Sequence, residues 1–351
     1  MWSPLPVLQL VRSRIKRWPA REIEAVAKRT WEIAPGEQGI APRAYFLPDQ
    51  LERVIGWDFM DEHPAREMNG IAFDHVPTRG ALLENAWLID GVLYKADACL
   101  HLHPRSRKWP SVRVDREIAR AALFCTPGGN RYFGTWMMDD CPRYALAEAE
   151  GEPVTTAHPV SEHLRDYEQR FAMRPTRVQA AFLRECVIFS DSGQNRDKHR
   201  RCRALTDKLL AGVDAKPHPG VFMVRGAFGE RRILRDEIAI AERLRDRRGF
   251  RIVDPMQLDV ATIIATCAGA RVVVGIEGSA MMHGIQLLHP GTAVLVLQPP
   301  TRFCNLYKHI ADRDGQHYGF VVGRQEGADF RITPDEVERT LDLFPASVHA
   351  F

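Results

Sequence analysis

The chain has 351 residues, more than one hydrophobic core usually serves, so we expect two domains. Hydrophobic residues make up 45% of it and charged residues 26%, as in an ordinary soluble globular protein. The 48 basic residues nearly balance the 45 acidic ones, which excludes a protein that binds nucleic acid over much of its surface.

The cysteines and the N-terminal residues indicate where in the cell the protein is expected. The 7 cysteines are scattered without a CxxC pair, which predicts neither a disulfide framework nor a zinc site. The basic residues within 12–17 follow the apolar N-terminal part, the reverse of a secretory signal, and no apolar run is long enough to span a membrane. We therefore expect a cytoplasmic protein. A basic amphipathic segment resting on the inner face of the membrane stays open beside a docked or disordered arm.

The first half of the chain gives a mixed pattern. Residues 1 to about 60 read as an irregular extension with one helix near Arg21 to Arg29. Apolar segments on both sides of Asp90-Gly91 predict a two-stranded hairpin. Further along, the pattern predicts helices at 116–123 and 177–184, a strand at 187–189 and a long helix at 196–210.

The last third is more regular and begins after Pro217-His218-Pro219-Gly220, the best linker candidate. Apolar segments of strand and helix length alternate, which predicts strands at 221–224, 251–253, 272–274 and 293–297 and helices at 235–247, 260–267 and 279–288. Alternating β and α units predict a parallel, doubly wound sheet. Ligands of such sheets bind beyond the carboxyl ends of the strands.

Two glycines follow the third strand of this sheet. Gly275 and Gly278 are separated by two residues, a spacing that differs from the dinucleotide pattern GxGxxG. Glycines allow a sharp turn, and the amides of the helix that begins near Ser279 suit a phosphate. Glu277 could accept a hydrogen bond from a sugar hydroxyl. His283 shares the helix face of Ser279, although a lone helical histidine is more often a packed residue.

Arginines follow the first strand of the same sheet. Arg225 stands at its carboxyl end, and Arg231 and Arg232 lie in the loop before the next helix. Guanidinium groups there could give a phosphate charge-assisted, bidentate hydrogen bonds. The alternative is a solvated loop whose arginines pair with acids such as Glu230 and Glu237.

Aromatic and acidic residues combine within 130–143. Tyr132 and Trp136 could stack on a sugar beside Asn130, and Asp139 could act as a general base. The plainer alternative is an aromatic core helix that carries solvated acids.

Two further patterns are more typical of surface structure than of a binding site. The basic run 196–203 could attract a polyanionic acceptor, but such a run is more often a solvated helix face. Asp312-Arg313-Asp314 matches a D-x-D metal pattern, but it follows a helix-like stretch and reads as a surface turn.

Taken in order, these residues resemble glycosyltransferase family 61, which includes bacterial capsular polysaccharide biosynthesis proteins. The motifs from 221–225 to 275–296 follow the family's order and spacing. Residues 130–143 are similar to the family segment N-Y-x-H-W-L-L-D-x-x-P-R. The resemblance covers residues near 81 to 325.

This resemblance implies an α/β protein of the GT-B type, with two Rossmann-like domains facing across a cleft. Together with the linker, it implies an N-terminal extension at 1–60, an acceptor-side domain at 61–215 and a nucleotide-sugar donor domain at 216–351. The weaker alternative of a nicotinamide-dependent oxidoreductase lacks the GxGxxG pattern.

The activity that the resemblance implies is inverting transfer of a sugar from a nucleotide-sugar donor to a glycan or lipid-linked acceptor. Its setting would be the synthesis of bacterial capsule, exopolysaccharide or lipopolysaccharide. No cofactor, metal or nucleic acid is implied, since the nucleotide-sugar is a substrate. Peripheral contact with the inner membrane and a homo-oligomer stay open.

The resemblance and the residues' own chemistry together give the expected site. Arg225, Arg231 and Glu237 match positions that the family retains, whereas His283 stands where the family commonly has an asparagine. The donor would contact Arg225, Arg231, Glu237, Gly275, Gly278, Ser279 and His283, and the acceptor would contact Asn130, Tyr132 and Trp136. Thr135 and Glu277 stand where the family commonly has histidines, so the base is expected to be a carboxylate, Asp139 or Glu277. The same replacements support an alternative function, a catalytically inactive GT-B-fold protein that binds a glycan or an assembly complex.

Overall fold

The computed structural model describes residues 2–14, 21–58, 64–104, 112–227 and 229–350. The chain forms two compact units. The first unit consists of Met1–Gly36 and Val76–Cys202, and the second of Glu37–His75 and Arg203–Phe351. The second unit therefore contains the segment 37–75 in addition to the C-terminal part of the chain.

Strands and helices are numbered in chain order. The strands are β1 (Trp2–Ser3), β2 (Arg29–Ala34), β3 (Glu37–Ile40), β4 (Ala72–His75), β5 (Thr78–Ile89), β6 (Val92–Lys95), β7 (Ala98–His101), β8 (Val112–Arg113), β9 (Arg116–Leu123), β10 (Glu152–Thr156), β11 (Thr176–Val178), β12 (Ala180–Ser190), β13 (Val221–Met223), β14 (Arg251–Val253), β15 (Val272–Ile276), β16 (Ala293–Gln298), β17 (His317–Val322), β18 (Arg324–Glu326) and β19 (Asp329–Arg331). The α-helices are α1 (Leu5–Arg14), α2 (Pro64–Glu67), α3 (Phe133–Thr135), α4 (Cys141–Glu150), α5 (Glu162–Arg170), α6 (Arg196–Leu210), α7 (Glu237–Arg248), α8 (Val260–Cys267), α9 (Met281–Ile285), α10 (Leu306–Arg313), α11 (Pro334–Leu341) and α12 (Ala346–His349).

The second unit is built on a parallel sheet with the strand order β14-β13-β15-β16-β17. Every residue of β15 and β16 is buried, as expected for strands covered on both faces. Counted along the chain, the order is 2-1-3-4-5, so the connections change direction between β13 and β15. The regular β/α alternation predicted for this region is confirmed, although α9 is shorter than the predicted helix 279–288.

The first unit contains a mixed sheet with the order β11-β10-β9-β12-β5-β6-β7, and β2 also pairs with β5. The strands β9 to β12 pair in parallel, whereas β5 is antiparallel to β12 and to β6. The core of the sheet includes Leu83, Leu88 and Leu183, which are fully buried.

Three predictions for the first half of the chain are wrong. Residues 116–123 form β9, and 177–184 fall in β11 and β12 instead of a helix. Alanine, arginine and glutamate favour a helix by propensity, but β9 lies between β10 and β12, and such pairing overrides the local preference. The extension 1–60 is not irregular, since it contains α1, β2 and β3, and near Arg21 to Arg29 only a single 3₁₀ turn, Ile23–Val26, forms. Residues 15–20 of this extension, including the basic Lys16 and Arg17, lie outside the described ranges.

The hairpin predicted at Asp90-Gly91 is confirmed. Ile89 of β5 pairs with Val92 of β6, and the two turn residues have φ values of 47° and 78°. Positive φ at both central positions is the pattern of a type I′ turn, whose twist matches that of the flanking strands.

None of the helices in the described ranges is both long enough and apolar enough to cross a lipid bilayer.

We predict that Gly91→Ala destabilises the protein more than Gly212→Ala. Both glycines have φ near 77° (78° and 76°), where alanine costs about 1–2 kcal/mol. A Cβ at Gly91 would also lie 2.3 Å from the His103 ring, whereas a Cβ at Gly212 would meet no atom within 4 Å. Melting temperatures of the two variants and the wild type measure the difference. Equal losses would show that the ring of His103 does not constrain the turn.

Candidate functional site

The sheet of the second unit brings two predicted motifs together. Arg225 follows β13 and Glu277 follows β15, and these neighbouring strands pair in parallel. Both residues therefore stand at the carboxyl edge, where the strand order changes direction and α/β proteins bind their ligands. A Cβ at Gly278 would lie 2.8 Å from Arg225 Nε, so the guanidinium packs directly against this glycine. We call Arg225, Arg232, Glu277 and Gly278 the arginine group.

Arg225 is a buried cation whose guanidinium binds main-chain oxygens. Its guanidinium donates to the main-chain oxygens of Glu230 and Arg232 (3.3 Å for the latter). Among the described residues, no carboxylate oxygen lies within 4 Å of it. Burial lowers the pKa of Arg225, while the charges of Glu277 and Glu237 oppose this shift. A buried guanidinium that is not neutralised by direct contact suits an anionic ligand.

Arg232 binds Glu277 in a nearly buried ion pair. Nη1 of Arg232 donates to Glu277 Oε2 (2.5 Å) and to the Glu277 main-chain oxygen (3.3 Å). Burial and the nearby Asp58 carboxylate raise the pKa of Glu277 to about 8, and Arg225 opposes them. Glu277 therefore changes its protonation near neutral pH, the range in which a general base works, but its Oε2 is occupied by Arg232.

The ion pair extends into a network of alternating charges. Glu230 Oε2 accepts hydrogen bonds from Arg232 (3.1 Å) and from Arg302 (3.0 Å), and Arg302 also donates to Asp58 Oδ2 (2.6 Å). Arg302 follows β16, the next parallel strand of the sheet. The sequence motifs missed Asp58 and Arg302, because nothing in their local pattern marks them as partners of Glu230.

Glu237 holds the main chain that carries Arg225. Its Oε1 accepts from the Arg225 amide (2.6 Å) and its Oε2 from the Gly226 amide (2.9 Å). Burial raises the pKa of Glu237, and the two amide hydrogen bonds oppose this. Both oxygens shape the turn after β13, so Glu237 positions Arg225.

Arg231 does not belong to the arginine group. Its guanidinium donates to Asp329 Oδ1 (2.7 Å), and its side chain is 62% exposed. The structure places Arg232, the next residue, in the arginine group instead. Phe228, in the same loop, lies outside the described residues.

Gly275 and Gly278 occupy different settings. Gly275 lies inside β15, where a Cβ would be 2.9 Å from the Met223 carbonyl oxygen. Gly278 has a φ of 153°, and its amide donates to Tyr307 Oη (3.2 Å), which in turn donates to the Gly278 oxygen (2.6 Å). Tyr307, which the sequence motifs missed, therefore fixes the glycine on which Arg225 packs.

The helix after Gly278 is short. Ser279 is half-buried in the turn before α9, and His283 is buried within α9, which has 5 residues. A helix of this length has a weak dipole, so its N-terminus provides little of the positive charge predicted to bind a phosphate. An anion at the arginine group would instead be held by guanidinium charge.

The predicted acceptor-side motif lies in the first unit. Asp139 belongs to a π-helical turn, Trp136–Asp140, that joins α3 to α4. Lys198 Nζ donates to Asp139 Oδ1 (2.5 Å), and the Lys198 side chain has no exposed surface while that of Asp139 is 21% exposed. The reading of the basic run as a solvated face is wrong for Lys198 and for Arg201, which are both buried, although Arg200 is exposed.

Asp140 is fully buried beside Asp139, contrary to the reading of this segment's acids as solvated. It accepts hydrogen bonds from the Thr126 amide (3.2 Å) and hydroxyl (2.8 Å) and contacts Arg143 Nη1 (3.4 Å). Burial raises the pKa of Asp140 to about 7, although Arg143 and Thr126 oppose the shift. A Cβ at Gly129 would lie 1.9 Å from Asp140 Oδ2, so this packing requires a glycine.

The three residues predicted to contact the acceptor lie in different environments. Trp136 is 5% exposed and packs near Phe133, with ring centroids 5.9 Å apart, which favours a core role. Asn130 Nδ2 donates to the Leu102 oxygen (3.2 Å), and Tyr132 is half-buried.

One group in the described ranges has the donor atoms of a metal site: Asp58, Glu277 and Cys304, whose ligand atoms lie within 4.8 Å of one another. Both carboxylates are already bound by arginines, and burial raises the pKa of the Cys304 thiol to about 12. A metal ion requires deprotonated ligands and would have to displace these arginines, so the group fits a metal poorly.

The second unit contains the arginine group, and the first unit contains the ion pair of Asp139 and Lys198. Together with the fold, they define an α/β protein with buried charges at the carboxyl edges of its parallel strands. The model of the family Glycosyltransferase 61 matches residues 133–295, a range that contains Asp139, Lys198 and the arginine group. This match confirms the resemblance to glycosyltransferase family 61 and supports glycosyl transfer between a donor and an acceptor substrate. A comparison with curated proteins found no match.

We predict that Asp140→Asn flattens the pH dependence of stability. The pKa of Asp140 is about 7 in the folded protein and about 3.9 when unfolded, so between these values the folded state binds the extra proton. The free energy of unfolding therefore falls as pH rises from about 4 to 7, by at most roughly 1.4 kcal/mol per pH unit. Urea unfolding at several pH values measures the slope. Asp115→Asn, at a side chain 66% exposed, is the control, and an unchanged slope in Asp140→Asn would refute the assignment.

Proposed function

We propose that the protein is an inverting glycosyltransferase that moves a sugar from a nucleotide-sugar donor to a glycan or lipid-linked acceptor. The second unit would bind the donor, the first unit would bind the acceptor, and the two would adopt a GT-B arrangement. The setting would be the synthesis of bacterial capsule, exopolysaccharide or lipopolysaccharide at the cytoplasmic face of the inner membrane. The family match supports the activity, and Arg225 carries the assignment of the donor site.

The donor diphosphate would supply the anion that contacts Arg225. Arg225 is buried at the change of strand direction and has no carboxylate contact among the described residues. As the bond between the sugar and the diphosphate breaks, negative charge grows on the departing oxygen. A fixed guanidinium in a buried site stabilises that charge in the transition state.

Of the two predicted bases, Asp139 suits proton abstraction better than Glu277. Lys198 contacts only Oδ1 of Asp139, and no described residue hydrogen-bonds to Oδ2. Asp139 would take the proton of an acceptor hydroxyl as that oxygen bonds to the anomeric carbon. The nucleoside diphosphate would leave from the opposite face, which inverts the configuration.

The alternative function is a catalytically inactive partner that binds a glycan or an assembly complex. Its support is Glu277, which replaces a family histidine and holds Arg232 in an ion pair. Nucleotide binding discriminates between the two functions, because an inactive shell without a donor site has no reason to bind nucleoside diphosphates.

We predict that Arg225→Gln weakens the binding of a nucleoside diphosphate by about 10-fold or more, since a charge-assisted hydrogen bond contributes about 1.5–3 kcal/mol. Titration calorimetry against a panel of nucleoside diphosphates, with turnover of the matching nucleotide-sugars, measures the loss. Arg251→Gln is the control, because Arg251 begins β14 at the opposite edge of the sheet. Arg232→Gln is expected to weaken binding more than Arg231→Gln.

The melting temperature of each variant without ligand separates a loss of binding from a loss of folding. Tight binding by folded Arg225→Gln would remove Arg225 from the donor site. Absence of binding by the wild type to every nucleoside diphosphate would favour the inactive partner.

A further inference from the structure

Lys198 is a buried ammonium group that the sequence motifs did not assign to any site. We propose that Lys198 is a positioning residue that holds Asp139 in the orientation needed for proton abstraction. The proposal rests on the function proposed above, because it concerns the base of that reaction. It also explains why a lysine occurs at a position without exposed surface on α6.

The ammonium is held from two directions. It donates to Asp139 Oδ1 (2.5 Å) and to the main-chain oxygen of Asp191 (3.0 Å). The Lys198 amide donates to Asn195 Oδ1 (3.0 Å) at the start of α6, which fixes the main chain below the side chain. With two of its three N–H donors engaged, the ammonium has a defined place and cannot follow a moving carboxylate.

Asp191, which receives the second hydrogen bond, is itself rigidly bound. Arg201 contacts both of its carboxylate oxygens (3.1 and 2.8 Å), and the Thr78 hydroxyl donates to Oδ1 (2.9 Å). Burial acts to raise the pKa of Asp191, but Arg201 and Lys198 hold it below its usual range. The support behind Lys198 is therefore a fixed, ionised cluster.

Lys198 is the one cation among the described residues that forms an ion pair with Asp139. Asp140, the next residue, is close to Arg143, and Asp191 is paired with Arg201. Asp139 is also the one carboxylate among the described residues within 4 Å of the Lys198 ammonium.

Orientation follows from the same contact. Because Lys198 fixes Oδ1 from the buried side and the Asp139 side chain is 21% exposed, the carboxylate is held with one oxygen engaged. Oδ2 has no hydrogen-bond partner among the described residues and is left for an acceptor hydroxyl. A base held in this way loses little orientational freedom when the substrate binds.

The test is sugar transfer by Lys198→Met, which keeps the length of the side chain and removes its charge and its N–H donors. We expect kcat to fall about 10-fold or more with little change in KM, because Asp139 loses its fixed orientation. A wild-type kcat, or a fall in kcat/KM that comes from KM alone, would overturn the proposal.

Thr78→Val is the matched structural control. It removes the hydrogen bonds of the Thr78 hydroxyl with Asp191 and Asn195 in the same buried cluster and leaves the side chains of Asp139 and Lys198 unchanged. We expect a lower melting temperature with the wild-type kcat. If Lys198→Met fails to fold, Lys198→Gln keeps a donor for the Asp191 oxygen and should show the same fall in kcat.

A measurement independent of activity separates this proposal from the proposed function. Asp139→Asn is made in the wild type and in the Lys198→Met background, and the melting temperatures are compared. The substitution should lower the melting temperature of the wild type and have a smaller effect in the Lys198→Met background. Equal effects in both backgrounds would refute the coupling even if the protein transferred sugar. If the wild type transfers none, the proposed function fails and this comparison alone decides the role of Lys198.

Discussion

Charges buried at the ends of parallel strands constrain both units of this protein. A buried ion is costly unless it is paired, and each carboxyl edge therefore carries a compact set of ion pairs. In the second unit the acids alternate with arginines, and in the first unit Asp191 and Asp139 bind Arg201 and Lys198. Arg225 differs from the other buried cations, because main-chain oxygens are its hydrogen-bond partners among the described residues.

The backbone around Arg225 explains how this exception is maintained. Glu237 binds the two amides after β13, Gly278 leaves room for the guanidinium, and Tyr307 binds Gly278 through both its amide and its carbonyl oxygen. Each of these groups stabilises a main-chain position without placing a carboxylate oxygen within 4 Å of the guanidinium. The stability of the fold is therefore used to hold a charge that no carboxylate of the described residues contacts, as expected where a ligand supplies the counter-charge.

The sequence predicted the second unit's sheet well and its site only in outline. Strands such as β15 and β16 are apolar throughout because both faces are buried, and this pattern is visible along the chain. The partners of Glu277 and Asp139 come from distant segments, so no local spacing indicates them. The helix predicted at 116–123 is wrong because distant segments decide its structure as well. The residues of β9 favour a helix by propensity, and only pairing with β10 and β12 makes the segment a strand. The choice between Arg231 and Arg232 depends on the path of a loop whose Gly226 and Gly229 have positive φ, which the sequence does not specify.

Glu277 shows how one replacement changes the balance of a site. A histidine at this position could be neutral, but a buried carboxylate recruits Arg232, and this ion pair uses the charge that Arg232 could otherwise offer to a phosphate. Burial also raises the pKa of Glu277 to about 8, so at neutral pH the acid carries a proton for most of the time. In that form Glu277 neutralises Arg232 less, and two guanidinium groups then face the turn at Gly278. Protonation of Glu277 would therefore strengthen the attraction for an anion, and the carboxylate would change the pH range over which the proposed donor site binds.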